Sequence, residues 1–62
     1  MSEYRNLLIS TLTVLKDREP RSESHRAFIL RSLYSLWYKA LELDDMDLVD
    51  ECHKVISKLE QP

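Results

Sequence analysis

Not one glycine occurs in the 62 residues of this chain. That absence constrains the fold more than any residue present. Tight two-residue hairpins lean on glycine at positive φ, so a sheet of short strands joined by such turns is disfavoured. Glycine-rich phosphate loops, the dinucleotide fingerprint and the nucleophile elbow are excluded in their usual forms. An all-α chain is the natural alternative, and the apolar residues recur at helical spacing.

Three helices are expected in a single domain, 1–62. Helix one covers about 3–16, where Tyr4, Leu8, Leu12 and Leu15 fall on one strip with Leu7 and Val14 beside it. Ser2 is its expected cap, and Glu3 suits the positive end of the helix dipole. Thr11, Thr13 and Val14 lower its intrinsic propensity, so it needs tertiary contact to persist. Residues 17–22 form a loop, because Pro20 disfavours helix for the residue before it. Ser22 or Ser24 then caps helix two, about 23–43. Ile29, Leu33, Leu36, Ala40 and Leu43 make its main strip. Leu30, Trp37 and Leu41 widen that strip, leaving Ser32, Ser35, Lys39 and Glu42 as a narrow wet face. A helix this apolar is buried from several directions and is the expected centre of the fold. Asp44 or Asp45 caps helix three, about 46–59, whose stripe is Leu48, Val49, Cys52, Val55, Ile56 and Leu59. So short a link folds helices two and three into an antiparallel hairpin.

A chain this small buries a modest share of its surface and usually needs a supplement to its core. One cysteine closes no internal disulfide, which points to a reduced, cytoplasmic setting. No Cys/His array has zinc spacing. Self-association is the remaining supplement, and 44% apolar residues make it plausible. No apolar run reaches the roughly 18–20 residues that span a bilayer, and the N-terminus lacks a basic leader, so no membrane role is expected. The net charge of −2 argues against a general nucleic-acid binder. The charge is uneven, however: residues 1–31 carry six Lys/Arg against four Asp/Glu, and residues 32–62 carry three against seven.

Each group that suggests chemistry also has a structural explanation. Asp44, Asp45 and Asp47 lack the twelve-residue ligand span and the glycine of a calcium loop, so capping explains them. Cys52 and His53 are adjacent and so point about 100° apart on a helix, which makes a poor nucleophile–base pair. Cys52 lies on the apolar stripe and reads as a small buried hydrophobe. Tyr34, Trp37 and Tyr38 suit a core or an interface better than a base-stacking platform, because no arginines interleave them. Arg18, Arg21, His25, Arg26 and Arg31 cluster around the loop and the start of helix two, diluted by Asp17, Glu19 and Glu23.

Helices two and three resemble the Rop family of small plasmid-encoded RNA-binding proteins. The correspondence runs without a gap from Phe28 to Cys52 and matches Phe28, Ile29, Leu36, Lys39, Glu42, Leu43, Asp44, Asp50 and Cys52. The resemblance implies a helical hairpin that dimerises into a four-helix bundle and binds paired RNA loops. It places Phe28 and Lys39 at RNA-contacting positions. It also places Ile29, Leu33, Leu36, Ala40, Leu43, Leu48, Cys52, Val55 and Leu59 on core layers. Helix one is an addition to that hairpin.

The sequence therefore leads to a non-enzymatic regulator or adaptor that acts as a helical homodimer through protein–protein contact, with a Rop-like RNA binder as the alternative. No cofactor, metal, catalytic residue or small-molecule substrate is expected. Phe28, Leu33, Trp37, Tyr38 and Leu41 are the expected interface residues. Arg18, Arg21, Arg26, Arg31 and Lys39 are the expected contacts to an anionic partner.

Overall fold

The computed structural model describes residues 3–61. Its elements are three helices: α1 (Glu3–Lys16), α2 (Glu23–Glu42) and α3 (Met46–Glu60). No strand occurs among the described residues. The expected cap of α1, Ser2, lies outside them. Ser22 caps α2 in extended conformation, its Oγ accepting from the His25 N–H at 3.1 Å. The His25 imidazole reaches back, with Nδ1 accepting from the Arg21 N–H at 3.0 Å. The first bond satisfies a backbone donor that the first turn leaves without a helical partner, and the second satisfies the Arg21 N–H just before the cap.

The corner between α2 and α3 answers the lack of glycine. Asp44 adopts φ 58°, the left-handed conformation that glycine normally supplies. Its N–H donates to Leu41 O at 3.0 Å, and the Asp45 N–H donates to Ala40 O at 3.1 Å. These two bonds are the Schellman closure of a helix end, built on an aspartate. Aspartate tolerates this conformation better than most residues. Asp45 then caps α3, its carboxylate accepting from the Leu48 N–H at 3.3 Å. Asp44 therefore ends one helix and Asp45 starts the next. The closure also makes Leu43 the C-cap of α2, one residue sooner than the apolar pattern suggested.

The helices form an up–down–up bundle measuring 37 × 17 × 15 Å. α2 and α3 pack closely as the antiparallel hairpin. Arg26 near the start of α2 reaches Leu59 near the end of α3. α1 runs alongside α3: Arg5 bonds the Asp45 carboxylate at one end, and Leu15 lies near Val55 and Leu59 at the other. The core combines Leu8, Leu12 and Leu15 of α1 with Ile29, Leu33, Leu36 and Ala40 of α2 and Leu48, Val49, Cys52 and Ile56 of α3. Burying each large aliphatic side chain contributes about 1.5–3 kcal/mol, which offsets the low intrinsic propensity of α1. Leu43, expected on the main strip, is instead exposed, because the chain has turned the corner before a neighbour can cover it.

Candidate functional site

α2 buries one face and leaves two others uncovered. Ile29, Leu33, Leu36 and Ala40 point into the core. Ala27, Leu30, Tyr34, Trp37 and Leu41 recur at intervals of three and four, which is the spacing of a helix–helix seam. They lie beside the core face, not within it. Leu30 and Trp37 pack partly against the core, whereas Tyr34 is 43% exposed, and Tyr38, adjoining the seam, is 66% exposed. The aromatic residues brace one another. The Trp37 ring meets Tyr34 edge-to-face at 6.5 Å and Tyr38 edge-to-face at 6.2 Å. The Tyr34 hydroxyl donates to Glu60 Oε2 at 2.6 Å, and this bond to the protonated phenol is the main cause of its raised pKa.

The second uncovered face borders α1. Tyr4, Leu7 and Thr11 of α1 and Arg31, Ser32, Ser35 and Lys39 of α2 line a groove of about 390 Å3 whose floor is Leu8 and Leu36. Leu7 is 65% exposed. Phe28, 62% exposed, stands on the same face of α2 as Ser32, Ser35 and Lys39, at intervals of four, three and four.

The expected interface set thus divides. Phe28, Tyr38 and Leu41 are exposed, and Trp37 is half-buried. Leu33 is a correction. It is 0% exposed, enclosed by its own chain because it faces the line where all three helices converge, and it lies on no surface.

The expected basic set divides as well. Arg18 and Arg21 lie on the loop among Asp17, Glu19 and Pro20. Arg26 is a second correction. Its guanidinium donates through Nε at 2.9 Å, and also through Nη2, to Leu59 O, and it sits 3.8 Å from Glu23. It caps the last turn of α3, where carbonyls lack helical partners and a cation complements the dipole. Arg18 and Arg21 share a depression with Asp17 and Glu19, whereas the one that Arg31 and Lys39 share has no acidic lining residue, and neither of these two makes an ion pair among the described residues.

The sequence pattern gave little weight to Tyr34 and none to Tyr4 and Leu7 as surface residues. The spacing 27–30–34–37–41 carries the signal: Leu30, Trp37 and Leu41 read as a widening of the core strip, and Trp37 and Leu41 also as interface residues.

Cys52 is fully enclosed, and burial, aided by the charge of Glu51, pushes its thiol pKa up and away from the reactive thiolate. His53 is exposed on a different face. Asp45 accepts from Arg5, and chiefly for that reason its carboxyl titrates below the usual range; the Leu48 N–H adds to the effect and burial opposes it. Among the described residues no group of three His, Cys, Asp or Glu could hold a metal ion. No described helix is long and apolar enough to cross a membrane. Comparison with protein-family models, with curated proteins and with solved structures returned no match.

Proposed function

We propose that this chain is a small regulator or adaptor without catalytic activity, and that it works as a homodimer formed through the outer seam of α2. The observation that carries this reading is the run Leu30, Tyr34, Trp37 and Leu41, half-covered at Leu30 and Trp37 and exposed at Tyr34 and Leu41, flanked by exposed Tyr38. A monomer has no reason to keep so many large side chains at its surface in helix-pairing register. Size argues the same way. The accessible surface is 4751 Å2. A compact 7.4 kDa monomer would expose about 4200 Å2. The excess of roughly 500 Å2 approaches the low end of what a specific interface takes from each partner. A two-fold pairing of α2 with α2 would unite two bundles into six helices.

A Rop-type pairing would use a different face. A two-helix hairpin pairs through its apolar groove, and here Leu8, Leu12 and Leu15 of α1 already pack there. The RNA-binding reading keeps one supporting observation, which is that Phe28 and Lys39 share an exposed face of α2. Against it stand the net charge of −2 and the division of the arginines among three places.

Light scattering on a sizing column tests the main reading. The expected mass is twice 7.4 kDa. Tyr38→Glu and Leu41→Glu, each at an exposed position, are expected to give monomers with unchanged helicity. A parent chain that remains at 7.4 kDa at high concentration refutes the dimer.

A further inference from the structure

We propose that the groove between α1 and α2 docks an amphipathic helix of another protein, one that carries carboxylates about seven or eight residues apart beside its apolar stripe. The inference rests on the adaptor reading but not on the dimer, because the groove lies on a different side of α2 from the seam.

The lining has three parts. Leu8 and Leu36 form an apolar floor, and Tyr4 and Leu7 form an apolar wall open to solvent. Thr11, Ser32 and Ser35 are short, and two of their hydroxyls turn back onto their own helices: Thr11 Oγ1 donates to Leu7 O at 2.9 Å, and Ser32 Oγ donates to Phe28 O at 3.1 Å. Hydroxyls engaged in this way ask little of an incoming apolar face. Short side chains also let a helix axis approach closely.

The rim fixes the charge of the occupant. Arg31 and Lys39 line the groove, no acidic residue does, and neither cation has an ion pair among the described residues. Eight residues of helix separate them, about 12 Å along α2. Carboxylates two turns apart on a docked helix would meet both. A nucleic acid fits less well. Two cations neutralise few phosphates, and the Leu7 wall offers a backbone nothing. A second copy of this chain fits poorly through α3, whose outward face, with Asp47, Asp50, Glu51 and Lys54, is polar.

Fluorescence anisotropy with the full chain decides the matter. The probes are two labelled synthetic helical peptides with identical leucine stripes, one flanked by glutamates two turns apart and one by lysines. The glutamate peptide is expected to bind at least about tenfold more tightly than the lysine peptide. Arg31→Glu with Lys39→Glu is expected to invert that preference, and Leu7→Ser to weaken the glutamate peptide by about tenfold. Should the double reversal lose helicity, Arg31→Gln with Lys39→Gln is expected to abolish the preference. Equal binding of the two peptides overturns the proposal, as does a preference that survives these charge changes. An RNA hairpin probe that binds where neither peptide does overturns it in favour of nucleic acid. If Leu7→Ser converts a dimer to a monomer in light scattering, a second copy occupies the groove and the proposal fails. A monomeric parent that still discriminates between the peptides refutes the seam dimer and leaves the groove intact.

Discussion

Replacing Leu33 with alanine separates a core role from an interface role at one position. Leu33 is completely enclosed, within a cluster that includes Ile29, Leu36, Ala40 and Cys52. Removing its isobutyl end leaves a void where three helices converge, so the neighbours have little freedom to collapse into it. Leucine-to-alanine changes at such sites cost about 2.7–5 kcal/mol, and the upper half of that range applies here. A chain this size has a total stability of about 3–9 kcal/mol. With a urea dependence of about 1 kcal/mol per molar, the midpoint of unfolding is expected to fall by about 4–5 M. Circular dichroism at 222 nm follows the transition. It should be recorded at two protein concentrations about fifty-fold apart, because a contact between copies would make the loss grow as concentration rises and the dimer fills. A core contact makes the loss nearly the same at both. A midpoint within about 1 M of the parent, or a shift that largely vanishes at low concentration, would refute the placement of Leu33 in the core.

Other positions give independent checks. Asp44→Gly should stabilise the chain by about 0.5–1 kcal/mol in the same urea experiment, because glycine meets φ 58° without a Cβ penalty. Asp45 has a depressed pKa in the folded state, so its stabilising effect is complete above the ordinary carboxylate value near 4 and disappears as pH falls through the lower folded value. The difference in stability between the parent and Asp45→Asn should therefore be constant near neutrality and narrow in strong acid. Cys52 should resist alkylation by a water-soluble thiol reagent in the native chain and react rapidly in urea, since it is enclosed and its pKa is raised. Native-state labelling as fast as in urea would contradict its burial.

Local pattern and chain chemistry made the helices legible. Ser22 and Asp45 were each one of two capping candidates, and the stripe of α3 is buried or partly buried as its spacing indicates. What remained illegible was which neighbour lies against which side of α2. Leu33 and Tyr34 are consecutive apolar residues on a helix that is apolar around most of its circumference, so periodicity cannot rank them. Their fates are set by where α1 packs, and α1 is located by the Arg5–Asp45 pair across 40 residues of sequence. Arg26 was equally opaque, because its partner is a backbone carbonyl 33 residues away that no composition reveals. The positive φ fell to Asp44, and no local signal separated its task from that of Asp45. Of the candidate surfaces, the aromatic side chains of α2 could be read as interface material, whereas the groove needs two helices in place before it exists.

Asp45 carries three connections at once: its N–H closes the end of α2, its carboxylate starts α3, and the same carboxylate holds Arg5 of α1. The first two secure the hairpin, and only the third reaches the remaining helix. α1 is otherwise kept by Leu8, Leu12 and Leu15 and by the segment 17–22. Its backbone amides should therefore surrender their protons to heavy water well before those of α2 and α3, as the first unit to lift away while the hairpin stays closed.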